Sequence, residues 1–156
     1  MDWHRIKNMG RKFLIREIQL KDKEQWKKLY KDYADFYKAE MNDKILQTVW
    51  KWLHDKNHEI KGLVYEVDKN IVGFAHYRRM PRPLKGKDIG FLDDLFVDPK
   101  YRGQRIGEKI LDELKKISKS KGWNLVRWIT RDDNLRAKSL YDRIAKKTNW
   151  DLYELK

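Results

Sequence analysis

The sequence predicts a mixed α/β fold in which helices pack on a central, mostly antiparallel mixed sheet. Three observations support this prediction. Short segments alternate apolar and polar residues, as half-buried strands do, and longer segments repeat apolar residues every three or four positions, as amphipathic helices do. Their order is β-α-α-β-β-β-α-β-α-β, which is typical of a sheet flanked by helices. The chain has 156 residues, a length that suits one domain.

The first predicted strand is Phe13–Ile18, where apolar and polar residues alternate. Asp22 and Gln25 then form a capping-box pattern that predicts the start of a helix. This helix has an aromatic and apolar stripe at helical spacing: Trp26, Leu29, Tyr30, Tyr33, Phe36 and Tyr37. A second amphipathic helix is predicted over about Asp43–His54. Both helices are expected to pack on the sheet.

The middle of the chain predicts a hairpin and then a strongly apolar strand. The strands Leu63–Val67 and Ile71–Tyr77 are joined by a short polar turn, Asp68–Asn70. Arg78–Lys87 contains two of the three prolines and a glycine, so a loop is predicted there. The next strand is Ile89–Val97, with the sequence IGFLDDLFV.

The rest of the chain predicts two helices and two strands. The helices are Ile106–Lys121, which Gly122 ends, and Asn134–Lys146. The strands are Leu125–Ile129 and Trp150–Leu155. No repeat, low-complexity segment or linker interrupts the sequence. Residues 1–156 are therefore predicted to form a single domain, with residues 1–12 as a flexible N-terminal extension.

Composition excludes several classes of site. The chain has no cysteine, which excludes disulfides, thiolate zinc sites and a cysteine nucleophile. No apolar run approaches the ~20 residues of a membrane span, and the N-terminus lacks the apolar stretch of a signal peptide, so a cytoplasmic location is expected. His54 and His58 lie close in sequence, but the helix is expected to end near them. A packing or surface role is expected for this pair, and no metal site is predicted.

The chain is strongly basic, with 37 Lys and Arg against 24 Asp and Glu and a net charge of +13. Such a charge suits nucleic acid, an anionic membrane surface or a phosphate-bearing small molecule. The basic residues are dispersed along the chain, which is typical of a solvated surface. Charge alone therefore does not identify a partner.

The segment from Gly90 to Leu111 is a candidate anion site, because it runs from a strand through a glycine-containing turn into a helix N-terminus. The first turn of a helix has unpaired N–H groups at the positive end of its dipole. Gly103 and Gly107 would let a phosphate approach the backbone, and Arg102 and Arg105 add positive charge. The spacing fits neither a Walker loop nor GxGxxG. A purely structural glycine turn is the alternative.

Two further groups of residues have unusual positions. Asp93 and Asp94 lie inside an apolar strand, and consecutive strand residues face opposite sides of a sheet, so at least one carboxylate is expected to point toward a covered face. Burial of a charge implies a solvated cleft, a cationic partner or a raised pKa; the alternative is a less covered strand with the acids paired to Arg or Lys. Asn134 suits a helix N-cap, and Ala137 and Tyr141 share one face of that helix. A cap with a core tyrosine is the alternative there.

Together these segments resemble the GCN5-related N-acetyltransferase (GNAT) family over nearly the whole chain. The family's pyrophosphate signature, R/Q-x-x-G-x-G/A after a strand that ends in V-x-P, is matched in FVDPKYRGQRIGEKIL by Val97, Pro99, Arg102 and Gly107. The middle glycine of the signature is replaced by Arg105, whose N–H remains available and for which a helical φ is expected. The family's N-x-x-A-x-x-x-Y pattern matches at Asn134, Ala137 and Tyr141.

The strand FLDDLFV is most similar to the diamine and polyamine acetyltransferase branch, which has L-E-D-F-F-V at this place. The resemblance implies acetyl transfer from acetyl-CoA to a primary amine by direct attack in a ternary complex. The amine would belong to a polyamine or diamine, another small molecule or a protein lysine. Asp93 would accept the amine proton and Tyr141 would protonate the departing thiolate. The acids expected to bind the substrate are Asp35, Asp93 and Asp94.

The resemblance also implies a binding site for acetyl-CoA as cosubstrate, without a metal. Its expected residues are Leu95, Phe96, Val97, Arg102, Gly103, Gln104, Arg105, Ile106, Gly107, Glu108, Asn134, Ala137 and Tyr141. The alternative function is a nucleic-acid-binding module on a GNAT-like fold, although no aromatic and basic signature of the RRM type is present. A homodimer is a further expectation, and no membrane partner is predicted.

Overall fold

The computed structural model describes residues 12–156, so residues 1–11 of the predicted N-terminal extension lie outside the described part. Its strands are β1 (Phe13–Glu17), β2 (Lys61–Val67), β3 (Asn70–Arg82), β4 (Lys87–Val97) and β5 (Val126–Trp128). Its helices are α1 (Lys23–Tyr37), α2 (Asp43–His54), α3 (Ile106–Ser120) and α4 (Leu135–Ile144). The predicted mixed fold is confirmed. No helix between residues 12 and 156 is long and apolar enough to cross a membrane.

The five strands form one sheet in the order β1-β2-β3-β4-β5. The first four pair antiparallel, and β4 and β5 pair parallel. The predicted turn between β2 and β3 is confirmed; Asp68 and Lys69 have φ of 49° and 67°, as a tight hairpin that follows the strand twist requires. The pairing of β4 with β5 covers only Gly90–Leu92 and Val126–Trp128. Beyond Leu92 the two strands separate, which leaves an open edge on β4.

Two buried clusters cover the two faces of the sheet. Leu63 packs with α3, and its neighbour Val64 packs with α1 and α2. Since consecutive strand residues face opposite sides, α3 lies on one face and α1 and α2 lie on the other. Asn42 caps α2, because its side chain accepts a hydrogen bond of 2.9 Å from the Ile45 N–H. Because α1 and α3 lie on opposite faces of the sheet, they approach β4 from opposite sides.

The start of α1 differs from the prediction. The capping box joins Gln19 and Asp22 in a 3-10 turn before α1, and the Gln25 side chain instead accepts a hydrogen bond of 2.8 Å from the Ile71 N–H. The Asp22 carboxylate is buried and accepts hydrogen bonds of 2.7 and 2.8 Å from Arg16. Burial alone would raise the pKa of Asp22, but Arg16 holds it below its ordinary value. This ion pair fixes the start of α1 against β1.

The loop predicted at Arg78–Lys87 is wrong, because β3 continues to Arg82 and β4 begins at Lys87. The connection is a single 3-10 turn. Beyond Tyr77, β3 no longer pairs with β2, so one of its edges is free. A proline, which has no N–H, is tolerated at such an edge, and Pro81 accordingly lies within β3.

The predicted last strand, Trp150–Leu155, is also wrong. Residues 145–156 form no helix or strand in this single chain. The side chains of Trp150, Leu152, Tyr153 and Leu155 are 68% to 103% exposed. The segment therefore has strand-like composition but no neighbouring strand within its own chain. The other predicted elements are confirmed within a few residues of their predicted ends.

Candidate active site

A cleft of about 320 Å³ opens where β4 and β5 separate. Its lining comes from the end of β4, the loop into α3, the first turn of α3, the start of α4 and the end of α1. All the residues predicted to bind acetyl-CoA line this cleft except Gln104. The fold thus gathers the two sequence motifs, which are distant in the chain, around one space.

The N-terminus of α3 presents free backbone donors to the cleft. The first hydrogen bond of this helix runs from the Lys109 N–H to the Arg105 carbonyl, at 3.0 Å, so the N–H groups of residues 106–108 have no acceptor in the helix. A Cβ atom built on Gly107 would meet nothing closer than Leu140 Cδ2 at 3.9 Å. The space above these donors is therefore open, and the helix dipole favours an anion in it.

Arg105 does not adopt the helical φ expected from the sequence. Its φ is 59° and its ψ is 26°, in the left-handed region, which costs an L-residue about 1–2 kcal/mol. Gly103, in the same loop, has φ of 82°. The glycine of the family signature would adopt the Arg105 conformation without steric cost. The sequence departure therefore places a strained arginine at the mouth of the cleft.

Positive charge converges on the cleft. Arg102, Arg105, Arg136 and Arg143 line it, and Glu108 is the one acid among the described lining residues. Arg143 donates two hydrogen bonds of 3.1 Å to Glu108 and so lowers the pKa of that carboxyl. Burial, together with repulsion from Arg136, lowers the pKa of Arg102. Guanidinium groups held together in this way favour an anionic ligand between them.

Tyr141 lies on α4, where Asn134 fixes the start of the helix. The Asn134 side chain accepts a hydrogen bond of 3.4 Å from the Ala137 N–H and donates one of 3.2 Å to the Tyr37 hydroxyl. The Tyr141 ring packs edge-on against Trp128, with 5.2 Å between centroids. Burial raises the pKa of Tyr141 to about 12. Its hydroxyl therefore keeps its proton at neutral pH and can donate it.

Asp93 and Asp94 lie at a β-bulge, just before the residues of β4 that line the cleft. The register between β3 and β4 shifts here, so that Asp94 pairs with His76 and Asp93 is the extra residue. Asp94 contacts His76 and Asp93 contacts Arg78. His76 and Arg78 are two residues apart on β3 and share a face. The expectation that the two carboxylates face opposite sides is therefore wrong, and both point toward the α1 side.

The two carboxylates have different surroundings. Arg78 Nε donates hydrogen bonds of 3.0 and 3.2 Å to Asp93, yet burial raises the pKa of Asp93 and the nearby Asp94 charge adds to this. Burial would also raise the pKa of Asp94, but hydrogen bonds from His76 and two tyrosine hydroxyls hold it below its ordinary value. Adjacent carboxyl groups with oppositely shifted pKa values suit two different tasks.

Asp35, the third predicted substrate acid, is exposed on α1 and does not line the cleft. Several functional candidates were not predicted: Tyr37, Arg136 and Arg143 in the cleft, and His76 beside Asp94. Arg136 stands between Asn134 and Ala137 in the matched pattern, so the motif could have indicated it. His76 lies 18 positions from Asp94 and 50 positions from Trp26 in the sequence, and no pattern marks it. Among residues 12–156, no group of three metal-ligating side chains is placed to hold an ion.

Comparison with known proteins identifies the family. The model of the acetyltransferase (GNAT) family matches residues 26–145. The chain is 28% identical over 150 residues to a D-amino-acid N-acetyltransferase of Saccharomyces cerevisiae, across 95% of this chain and 93% of that protein. It is 38% identical over 75 residues to the thialysine N-epsilon-acetyltransferase of Bos taurus, across 48% of this chain and 44% of that protein.

Solved structures show the same fold. A ribosomal-protein-alanine N-acetyltransferase from Brucella melitensis biovar Abortus 2308 has a TM-score of 0.79 at 23% identity, over 93% of this chain and 99% of that one. An aminoglycoside N-acetyltransferase in complex with CoA has a TM-score of 0.80 at 18% identity, over 94% and 96% of the two chains. Since the family model covers well over half of the sequence, the chain belongs to the acetyltransferase (GNAT) family, as the resemblance predicted.

Proposed function

We propose that this N-acetyltransferase transfers the acetyl group of acetyl-CoA to the primary amine of a small cationic acceptor, directly in a ternary complex. The observation that carries the proposal is the position of Asp93 and Asp94. They point to one face of the sheet immediately before Leu95, the first residue of β4 that lines the cationic cleft. An anion site and an acid site thus adjoin at the open edge of β4, as transfer between an anionic cosubstrate and a cationic acceptor requires.

The cleft fits the pyrophosphate of CoA. A doubly anionic group would accept hydrogen bonds from the free N–H groups of residues 106–108 and would fit the open space above Gly107. Arg102 and Arg136 would balance its charge. The open edge of β4 from Leu95 to Val97 offers backbone donors and acceptors to an extended arm. When bound, acetyl-CoA supplies an activated acetyl thioester. Arg143 neutralises Glu108, so this acid does not oppose the phosphates.

The acid site prepares the amine. An alkyl ammonium has a pKa of about 10.4, so it must lose a proton before it can attack. Asp93 is the better proton acceptor of the two acids, since burial raises its pKa toward the working pH, and it acts through a water molecule. Asp94 stays ionised and attracts the ammonium. The two acids therefore divide proton transfer and binding between them.

The remaining groups serve the thioester. Backbone N–H groups between Leu95 and Val97 donate to the carbonyl oxygen as negative charge builds on it. Tyr141, protonated at neutral pH, donates its proton to the departing sulfur. The chain has no cysteine, so direct transfer is proposed in place of an acyl-cysteine route.

The acceptor is proposed to be a polyamine, a diamine or another small amine. The sequence relatives are named for a D-amino acid and thialysine as acceptors, and a protein of the same fold is named for an aminoglycoside. These three kinds of molecule share an amine. A net charge of +13 repels a polycation at long range. Screening limits this repulsion to about 8 Å at physiological salt, so the local carboxylates determine binding at contact. A protein lysine is the second acceptor class.

The test is an acetyl-CoA turnover screen. The purified protein is incubated with acetyl-CoA and, separately, with a diamine, a polyamine, a D-amino acid, an aminoglycoside and a lysine-containing peptide. We expect thiol release that depends on the amine, together with a mass increase of one acetyl group on a small amine. Acetylation of the peptide alone would replace the small-molecule acceptor with a protein. Acetyl-CoA binding with no acetylation of any amine would overturn the proposal.

The relatives with named activities are acetyltransferases, and so they favour the enzyme over a nucleic-acid-binding module. We expect only weak binding to nucleic acid, which counterion release would abolish as salt rises. Acetyl-CoA affinity should depend much less on salt. Structure-specific nucleic-acid binding at physiological salt would favour the alternative.

We also propose that two copies of the chain associate through residues 145–156. The strand-like segment exposes Trp150, Leu152, Tyr153 and Leu155, and β5 is the last strand of the described sheet, with a free outer edge. Pairing of each segment with β5 of a second copy would bury these side chains and cover the edge. Light scattering should show a dimer for the parent and a monomer for Trp150→Ser/Tyr153→Ser. A monomeric parent at assay concentration would contradict this.

A further inference from the structure

A buried chain of hydrogen bonds connects α1, β3 and β4 behind the acid site. Trp26 Nε1 donates to His76 Nε2 at 3.0 Å, and His76 Nδ1 lies 2.7 Å from Asp94 Oδ2. Trp26 is 0% exposed and His76 is 1% exposed. The proposed mechanism uses Asp94 and gives Trp26 and His76 no role. Burial of an imidazole beside a carboxylate nevertheless costs free energy of folding.

Trp26 determines which nitrogen of His76 carries the proton. An indole N–H can only donate, so His76 Nε2 must accept, and the proton of the neutral ring lies on Nδ1. His76 therefore donates to Asp94. The opposite tautomer would place two N–H groups against each other and would turn a lone pair toward the carboxylate. One tautomer alone satisfies both neighbours.

Aromatic rings hold the imidazole in place. Tyr30 packs edge-on against it at 4.9 Å between centroids, and Phe74 packs on it at 4.8 Å. The Tyr30 hydroxyl also donates a hydrogen bond of 3.1 Å to Asp94 Oδ2. His76 and Tyr30 are thus donors to Asp94 whose orientations are fixed by packing. Neither donor can rotate away without opening the cluster between the sheet and α1.

The character of these donors distinguishes Asp94 from Asp93. Arg78 forms an ion pair with Asp93, so that pair has no net charge. Asp94 instead accepts hydrogen bonds from His76 and Tyr30, and among the described residues it forms no ion pair with an Arg or a Lys. A carboxylate without such a counterion, one residue before the part of β4 that lines the cleft, attracts a cation more strongly than a closed ion pair does. The position of Asp94 is therefore that of an ammonium-binding group.

We propose that Trp26 and His76 are positioning residues that hold Asp94 as the fixed anion for the acceptor's ammonium group. This inference rests on the proposed transfer to an amine. It assigns α1 a role in acceptor binding through a residue that contacts no ligand. Trp26→Phe tests it, because this change removes the N–H and keeps an aromatic ring. Trp50→Phe is the matched control, since Trp50 packs against Trp26 at 5.1 Å in the same cluster.

Two readouts separate positioning from simple packing. Nitrogen NMR of the His76 ring should show the Nδ1–H tautomer in the parent and in Trp50→Phe, and a loss of this fixed tautomer in Trp26→Phe. In steady-state kinetics, Trp26→Phe should raise KM for the amine by up to about tenfold, because the His76 N–H that it fixes donates to the charged Asp94 carboxylate. Its kcat and its acetyl-CoA Kd should stay close to those of Trp50→Phe.

A second pair of variants covers the case in which Trp26→Phe fails to fold. The amide of His76→Asn can donate to Asp94 in place of Nδ1, and the side chain of His76→Leu cannot. We expect His76→Asn to recover most of the amine affinity that His76→Leu loses. An equal KM in these two variants, or a parental KM in Trp26→Phe, would overturn the inference while the parent still acetylates amines. A parent that acetylates no amine would instead overturn the proposed function.

Discussion

The cationic cleft and the acid site adjoin on β4, but they are built in opposite ways. The cleft takes its donors largely from one continuous segment, residues 95–108, through backbone N–H groups and arginines at the surface. The acid site takes its contacts from side chains that are far apart in sequence, since Trp26 and His76 are 50 positions apart and Tyr30 and Asp94 are 64 positions apart. A site made of local backbone is visible as a sequence motif, and a site made by tertiary packing is not.

The largest effect is expected from a change that removes a reacting group from the cleft and leaves the structure of the cleft intact. Tyr141→Phe removes one hydroxyl and keeps the ring on Trp128. If this hydroxyl protonates the thiolate, kcat should fall by roughly 10²–10⁴-fold, with acetyl-CoA affinity and melting temperature unchanged. Steady-state kinetics measures kcat, and thermal unfolding with and without acetyl-CoA measures the melting temperature and the binding of acetyl-CoA. Tyr101→Phe, which also lines the cleft, is the control and should be parental. A loss of stability with unchanged kcat would make Tyr141 a core residue.

A smaller effect is expected in the acid site. Asp93→Asn should lower kcat/KM about 10²-fold near neutral pH, because the variant cannot accept the amine proton. The loss should shrink as pH rises, since solution then supplies free amine, whereas Tyr141→Phe should show no such recovery. Asp88→Asn is the matched control, because Asp88 also lies on β4 and pairs with an arginine, Arg79, at 3.2 Å. A pH-independent loss in Asp93→Asn would contradict its role as proton acceptor.

The smallest effect is expected from changes in the backbone of the loop that precedes α3. Arg105→Gly should raise the free energy of unfolding by up to about 1 kcal/mol, because glycine adopts the left-handed conformation freely. Gly103→Ala is the mirror change in the same loop, with φ of 82° and open space around the added Cβ, and it should be destabilising by a similar amount. Denaturant unfolding measures both. A stabilising Gly103→Ala or a destabilising Arg105→Gly would refute the strain argument.

Hydropathy periodicity predicts most of the sheet and helices because it reports which face of each element is buried. The cleft residues also follow from the sequence, since Val97, Gly107, Asn134 and Tyr141 stand in recognisable spacings. The predicted roles of these residues stay predictions, as does the cytoplasmic location. The sequence reveals these cleft residues because, within each motif, the residues lie close together in the chain.

The features that sequence reasoning misses depend on partners elsewhere in the fold. Asp22 fits a capping box with Gln25, but the buried Asp22 carboxylate instead accepts hydrogen bonds from the half-buried Arg16. A one-residue shift of register turns Asp93 to the same face as Asp94. The C-terminal segment has the pattern of a strand and finds no neighbour in a single chain. In each case a long-range contact, or the lack of one within the chain, overrides the local pattern.

If the cleft and the acid site bind two different ligands, acetyl-CoA should raise the melting temperature only when the cleft is intact. At one hundred times its Kd, a ligand adds about 2.7 kcal/mol, or roughly 5–10 °C for a chain of this size. We predict this shift for the parent, for Asp94→Asn in the acid site, and for Lys109→Val as a control in the same helix. Gly107→Val, whose side chain occupies the space above the free N–H groups, should show no shift. Full stabilisation of Gly107→Val, or loss of the shift in Asp94→Asn, would show that the two regions do not bind separate ligands.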